Sequence, residues 1–151
     1  SDRHYELGTR FKTTVNGTIT GVRLYAYGDP NSSEGGSHTV RIWNVSNSTC
    51  IAGPYTWNVT DSTPGWRTFV LPSPLSVTAN TDYIVSITNG SGSSGDMYYY
   101  FTPHGFDSPI NNGYIVTYTG SGVNSSVIGS MPTGVANNTN YFRDVIFVPA
   151  N

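Results

Sequence analysis

The chain carries Thr18-Ile19-Thr20-Gly21-Val22-Arg23-Leu24-Tyr25-Ala26-Tyr27 near its amino terminus, an alternation of polar and apolar side chains that changes phase once, at Gly21. Alternation with a period of two places Ile19 and Val22 on one face of a β-strand, because successive strand side chains point to opposite sides. A glycine at the change of phase predicts a β-bulge. The dipeptide Asn16-Gly17 before the strand predicts a hairpin turn, since both residues tolerate positive φ.

The same pattern recurs along the chain, with Gly, Pro, Asn and Asp between short runs of β-branched and aromatic residues. The predicted strands are Phe11–Val15, Thr18–Tyr27, His38–Val45, Tyr55–Val59, Trp66–Leu71, Tyr83–Thr88, Met97–Phe101, Tyr114–Tyr118 and Tyr141–Val148. No stretch has the period of an amphipathic helix. About nine such strands predict an all-β, antiparallel β-sandwich of the jelly-roll type. Because no repeat or linker divides the chain, residues 1–151 are predicted to form a single domain.

The inward-facing members of these strands predict the hydrophobic core. They are Phe11, Ile19, Val22, Leu24, Val40, Ile42, Phe69, Leu71, Val77, Tyr83, Val85, Ile87, Val145 and Phe147. Each such side chain contributes about 1.5–3 kcal/mol on burial, which suffices for a sandwich without disulfides. The only cysteine, Cys50, has no partner within the chain.

The composition excludes several classes of protein. Charged residues make up 11% of the chain, against about 25% in an ordinary soluble domain. The net charge is −2, and the seven lysines and arginines are scattered singly, unlike the clustered basic residues of nucleic-acid-binding proteins. No apolar run is long enough to span a bilayer. We therefore expect no nucleic-acid partner and no membrane insertion, and we expect a monomer.

Three segments carry a family resemblance. They are Glu6–Phe11 with Gly17–Tyr25; His38–Trp43 followed by Gly65–Thr68 and Pro74–Tyr83; and Asn140–Phe147. In this order they resemble a bacterial domain family of formally unknown function, found in large secreted and surface proteins beside glycoside hydrolases and fibronectin type III modules. The resemblance implies a secreted or cell-surface accessory β-sandwich, similar to a carbohydrate-binding module. It also implies neighbouring domains in a longer chain.

Catalytic motifs are absent from the sequence. The nine acidic residues match no hydrolase motif, and the three histidines lack the spacing of metal ligands. Because the chain has many serines, many Ser–His–Asp combinations can be chosen from it, and none of them is evidence for a catalytic triad. We expect that the chain is not an enzyme.

Two oxygen-rich groups predict structural calcium, which takes six to eight oxygen ligands. Glu6 on the first strand and Asp144 on the last form one group, because the first and last strands of sandwiches often lie close together. The second group lies in one glycine-flanked turn and comprises Asp29, Asn31, Ser33 and Glu34. Two alternatives stay open: Glu6 and Asp144 pair with arginines such as Arg10 or Arg143, and the turn is an ordinary solvated loop.

Aromatic residues are concentrated in the run Tyr98-Tyr99-Tyr100-Phe101. Strand alternation places Tyr99 on one face and Tyr98 and Tyr100 on the other. Sugar rings present apolar C–H faces that stack on aromatic rings, while polar side chains bind their hydroxyls. A loop-rich stretch that could supply such groups follows, with His104, Phe106, Asp107, Asn111, Asn112 and Tyr114.

The expected function is therefore that of a noncatalytic carbohydrate-binding module, which recognises a polysaccharide by tyrosine stacking and polar loop contacts. The alternative is a structural spacer or adhesion domain of a large extracellular protein, without a ligand of its own. In that alternative the aromatic residues, with Trp43 and Trp66 among them, pack in the core or against the sheets. Exposure of paired aromatic rings distinguishes the two.

Overall fold

The computed structural model describes residues 4–26, 35–60, 65–89, 99 and 101–151. These residues form ten strands and no helix: β1 (Glu6–Thr13), β2 (Gly17–Ala26), β3 (Gly36–Asn44), β4 (Thr49–Val59), β5 (Gly65–Val77), β6 (Tyr83–Thr88), β7 (Asn111–Asn112), β8 (Ile115–Val116), β9 (Gly122–Ser125) and β10 (Arg143–Pro149). The predicted all-β class is confirmed. The part of the chain that is described contains no helix with the length and apolar character needed to cross a membrane.

Two antiparallel sheets pack face to face. The larger sheet has the order β4-β3-β6-β1, and the free edge of β1 is shared by β9, along Glu6–Thr9, and β8, along Lys12–Thr13. The two-residue strand β7 follows β8. The smaller sheet has the order β10-β2-β5. The antiparallel sandwich predicted from the alternation is therefore confirmed.

The predicted core is confirmed as one cluster between the sheets. Ile19, Val22 and Leu24 are fully buried, and the other predicted core residues join them in the same cluster. Phe69 and Phe147 lie at its margin and are only partly buried. The period of two thus identified the face that each strand turns inward.

The β-bulge predicted at Gly21 is confirmed, since the pairing of β2 with β5 changes register between Ile19 and Gly21. The hairpin predicted at Asn16-Gly17 is wrong, because β1 and β2 belong to different sheets. Gly17 serves close packing instead: a Cβ there would overlap the carbonyl oxygen of Val148 and lie 2.6 Å from the ring of Phe147.

Several strands differ from the prediction. β1 begins at Glu6 rather than Phe11, β4 begins at Thr49 rather than Tyr55, and β7 had no predicted counterpart. β5 continues to Val77 through Pro72 and Pro74, which a sheet edge tolerates because an edge strand needs fewer backbone donors. β9 had no counterpart in the prediction. The predicted strand Met97–Phe101 lies largely outside the described residues: of its five residues, the structure describes only Tyr99 and Phe101.

A second apolar cluster lies on the outer face of the larger sheet. It consists of Trp43, Ile84 and Val123, with Val45, Cys50 and Met131 packed against them. All six residues of β6 are buried as a result, since this central strand is covered on both sides. Strand alternation predicts one buried face per strand, and so this cluster was not anticipated.

Candidate functional site

Several of the predicted ligand and metal residues lie outside the described part of the chain. They are Tyr98, Tyr100, Asp29, Asn31, Ser33 and Glu34. The exposure of the two tyrosines and the calcium ligands of the glycine-flanked turn therefore stay predictions.

Tyr99 is partly buried within an aromatic cluster. Its ring lies 6.1 Å from that of Tyr5, 5.4 Å from that of Phe101 and 5.9 Å from that of Tyr141, measured between ring centroids. The contacts with Tyr5 and Tyr141 are edge-on and the contact with Phe101 is tilted, and such offset arrangements are favourable between aromatic rings. Three neighbours around one ring make Tyr99 a packing residue of this cluster rather than an open platform.

The loop that carries His104, Phe106 and Asp107 is anchored to residues 137–140. Backbone N–H groups of His104 and Phe106 donate to the carbonyls of Asn137 (2.9 Å) and Asn138 (2.7 Å). Phe106 is buried and holds the loop in place. Hydrogen bonds from Asn138 and His104 keep the pKa of Asp107 below its ordinary value. His104 and Asp107 thus form an exposed polar pair, while Phe106 is structural.

Asn111, Asn112 and Tyr114 belong to a tight hairpin. β7 and β8 are joined by the two-residue loop Gly113-Tyr114, in which Gly113 has a φ of 60°. Positive φ at the first loop position favours glycine and is typical of two-residue hairpins. The turn leaves Tyr114 47% exposed, with its ring edge-on to Phe147 at 6.2 Å.

Trp66 is the exposed aromatic residue that the sequence reasoning assigned to packing. It is 43% exposed and points outward from β5, the strand whose inward residues are Phe69 and Leu71. The sequence did contain a signal for this outward position. Side chains alternate along a strand, so a residue an odd number of positions from Phe69 and Leu71 lies on the opposite face of the sheet. Trp43, by contrast, is buried as expected, although in the outer cluster.

Neighbouring strands surround the Trp66 ring. Tyr25 lies opposite Trp66 in the β2–β5 register and meets it edge-on at 5.7 Å. The guanidinium of Arg23 lies over the indole at 4.7 Å, a favourable cation–π geometry. Arg23 also donates from Nη2 to Oδ2 of Asp144 at 2.7 Å, because β10 places Asp144 directly opposite it.

The hairpin and the outer face of the smaller sheet enclose a cleft of about 190 Å³, which we call the Trp66 cleft. Its lining includes Trp66, Phe142 and Asp144 on the sheet side and Ile110, Asn112 and Ile115 on the hairpin side. A second, more open groove of about 340 Å³, the Tyr114 groove, shares Asn112 and Ile115 with it and includes Arg23 and Tyr114. The structure therefore brings the predicted Phe106, Asn112 and Tyr114 to these two cavities, together with Trp66, Arg23 and Asp144.

The predicted metal pair is held by two separate arginines. Glu6 is fully buried and pairs with Arg41, whereas Asp144 pairs with Arg23 in the other sheet. These partners differ from Arg10 and Arg143, the arginines named in the sequence analysis. Within the described ranges no three acidic, histidine or cysteine side chains converge, and calcium binding stays a prediction.

Calcium bound to the native state alone would raise the unfolding temperature by mass action, by several degrees when the metal is well above its dissociation constant. Thermal melts in EDTA and in excess calcium measure this shift. Coincident melts would remove the hypothesis and leave the two carboxylates as ion-pair partners of Arg41 and Arg23.

Fold and cleft together define an antiparallel β-sandwich that presents an aromatic, hydrogen-bonding cleft on the outer face of its smaller sheet. Residues 1–143 match the family described as Domain of unknown function (DUF4082), and the chain belongs to this family. No curated protein matches the chain. The resemblance to a family of formally unknown function is thereby confirmed, whereas bacterial origin and carbohydrate binding stay predictions.

Proposed function

We propose that the chain is a noncatalytic carbohydrate-binding module of a secreted or surface protein, with the sugar bound in the Trp66 cleft. The observation that carries the proposal is the exposed indole of Trp66, set on a sheet face beside polar side chains. A large exposed aromatic ring costs solvation free energy unless a ligand covers it, and clustered exposed apolar groups are typical of binding sites.

The chemistry of the cleft suits a sugar ring. The apolar C–H face of a pyranose stacks on an indole, which is the largest aromatic surface in proteins. Arg23 supplies N–H donors and Asp144 supplies carboxylate acceptors, so their ion pair can bind vicinal hydroxyls from both sides. The amide of Asn112 offers one acceptor and two donors across the cleft.

The cleft is also preorganised. Tyr25 and Phe142 both pack edge-on against Trp66, at 5.7 Å and 6.4 Å, and Arg23 stacks on it. A ring held by three neighbours loses little rotamer freedom when a ligand stacks on it, which favours binding. The Tyr114 groove continues from the cleft past Asn112 and provides a path for further sugar residues of a chain.

Relative to the prediction from sequence, the proposal moves the stacking residue from the tyrosine run to Trp66. It retains Asn112 and Tyr114, which the structure brings to the cleft and its neighbouring groove. Tyr99 is left out because its ring is less exposed than that of Trp66, which is 43% exposed, and is packed among three other aromatic rings.

Replacement of Trp66 by alanine is expected to weaken glycan binding at least about tenfold, since aromatic stacking of flat ligands contributes about 1–3 kcal/mol. Wild-type affinity near the millimolar range is expected for a module with one or two such rings. A glycan array of plant, algal and microbial polysaccharides identifies the ligand, and affinity electrophoresis in that polysaccharide then compares the variants.

The matched control is Val70→Ala, because Val70 points outward from the same strand and is 73% exposed. We expect this variant to bind like the wild type, and we expect both variants to melt close to it. Absence of binding to every arrayed glycan would favour the alternative of a spacer or adhesion domain. Binding that survives Trp66→Ala would place the sugar elsewhere.

A further inference from the structure

A separate cleft of about 430 Å³ lies on the outer face of the larger sheet, away from the sheet that carries Trp66. It is bounded by β1, β6 and residues 118–138. Much of its lining is apolar and comes from Val45, Ile84, Val123, Met131, Pro132 and Val135. The volume falls within the range of about 300–1,000 Å³ that is usual for small-molecule sites.

The cleft also carries a cationic group beside this apolar lining, because Arg10 lies directly opposite Ile84 in the β1–β6 register. Arg10 lines the cleft and donates from Nη2 to Oδ2 of Asp82 at 2.6 Å. Tyr118 donates its hydroxyl to the other oxygen of Asp82. The guanidinium of Arg10 and the ammonium of Lys12, the only lysine in the chain, lie 5.6 Å and 5.9 Å from the centre of the Tyr118 ring.

The charges around Arg10 do not cancel. Burial opposes the ionisation of Asp82, but hydrogen bonds from Tyr118 and Arg10 outweigh it and hold the pKa of Asp82 below its ordinary value. Burial and the bond to Asp82 raise the pKa of Tyr118 to about 12. At neutral pH one carboxylate therefore faces two cations, Arg10 and Lys12, and leaves an excess of one positive charge.

Arg10 has donors to spare for a ligand. Its side chain is 42% exposed, and Asp82 takes only one of its nitrogens, Nη2. Its Nε is buried and has no hydrogen-bond partner within the part of the chain that is described, so a ligand would be bound by the terminal nitrogens of the exposed side chain. Guanidinium groups bind carboxylates and sulfonates through paired N–H donors, which makes Arg10 the natural anchor for an anion.

We propose that this cleft, which we call the Arg10 cleft, binds a small amphipathic organic anion. The anionic group sits at Arg10, with Lys12 close by but outside the lining, and the apolar body lies against Val123, Met131 and Val135. The proposal is independent of carbohydrate binding, because the Trp66 cleft shares no residue with the Arg10 cleft.

A matched pair of fluorescent probes tests the proposal. The first is 8-anilino-1-naphthalenesulfonate, and the second is N-phenyl-1-naphthylamine, which has the same aromatic body without the sulfonate. We expect saturable, one-to-one binding of the sulfonate probe that weakens with added salt, as a charge-driven contact does. We expect the neutral probe to bind at least about tenfold more weakly, the equivalent of one charge-assisted hydrogen bond.

Variants then locate the site. Arg10→Gln should weaken the sulfonate probe at least about tenfold and Lys12→Gln by a smaller factor, with little change for the neutral probe. Val135→Asp places a negative charge at the cleft on a residue that is 53% exposed, so it keeps the fold and should also weaken the sulfonate probe. Trp66→Ala should leave both probes unchanged.

Three results would overturn the assignment. They are the lack of saturable binding, equal affinity for the two probes, and unchanged sulfonate binding by folded Arg10→Gln and Val135→Asp. Loss of sulfonate binding on Trp66→Ala would instead show that the probe occupies the other cleft. Glycan binding by the same variants is scored separately, so the two proposals fail independently.

Discussion

Replacing Glu6 with alanine is expected to lower the free energy of unfolding by about 3–5 kcal/mol, the cost of leaving a buried charge without its partner. Glu6 is fully buried and pairs with Arg41, which is itself largely buried. Its other oxygen accepts from the hydroxyl of Ser86 at 2.8 Å, and Ser86 accepts from the indole N–H of Trp43 at 2.9 Å. The melting temperature should fall by about 10 °C, because a loss of 1 kcal/mol lowers it by about 2–4 °C in a domain of this size.

Two companion variants separate charge from packing. The double variant Glu6→Ala with Arg41→Met removes both charges and should recover a substantial part of the loss, because no ion is then left unpaired in the interior. Asp144→Ala should cost only about 0–1 kcal/mol, since the ion pair of Asp144 with Arg23 is partly exposed to solvent. Equal losses for Glu6→Ala and Asp144→Ala would contradict this account.

Gly122→Ala is expected to cost about 3 kcal/mol, at the upper end of what overpacking usually costs. A Cβ at this position would overlap the carbonyl oxygen of Thr139 and lie 2.8 Å from its carbonyl carbon. Both are backbone atoms and cannot rotate away. Gly122 also pairs with Thr9 at the edge of β1, so relief of the overlap would pull β9 away from the sheet. Urea unfolding measures the change.

Gly113→Ala is the matched control. Nothing lies within 4 Å of a Cβ at Gly113, so only its φ of +60° opposes the substitution, at about 1–2 kcal/mol. If the two variants cost the same, the close approach of Thr139 is not what requires glycine at position 122.

The inner faces of the strands could be predicted because burial acts on each strand separately. Ile19, Val22 and Leu24 occupy alternate positions on either side of the Gly21 bulge, and each is fully buried. The bulge itself could also be predicted, since a change of phase within one strand requires an extra residue on that strand. Local periodicity was sufficient for these features.

The outer faces could not be predicted in the same way. Ile84 and Trp43 point away from the main core, yet they are buried by Val123 and Met131, which come from a distant part of the chain. β9 has four residues and no clear alternation, and it forms because the edge of β1 is available to it. Burial of an outer sheet face depends on contacts between segments that are distant in the sequence, and no local sequence pattern predicts which segments meet.

The candidate site shows the same division between local and distant information. Asn112 and Tyr114 were predicted as ligand residues, but the hairpin that carries them was not predicted, since the sequence indicated one strand over Tyr114–Tyr118 where the structure has a turn at Gly113-Tyr114. The outward position of Trp66 follows from strand alternation, although it was assigned to packing. The contact of Arg23 with both Trp66 and Asp144 depends on the registers of two strand pairs.

The amino-acid sequence alone determined the all-β class, the antiparallel sandwich and the residues of its inner core, because a period of two and the turn residues act over a few positions. Only the tertiary structure decided which side chains meet across strands. Glu6 pairs with Arg41 rather than with Arg10, and Tyr99 packs among other aromatic rings. Asn112 lines the same cleft as Trp66. The physical reason is that register, sheet order and loop coverage depend on the packing of the whole chain, in which residues distant in sequence compete for the same surfaces.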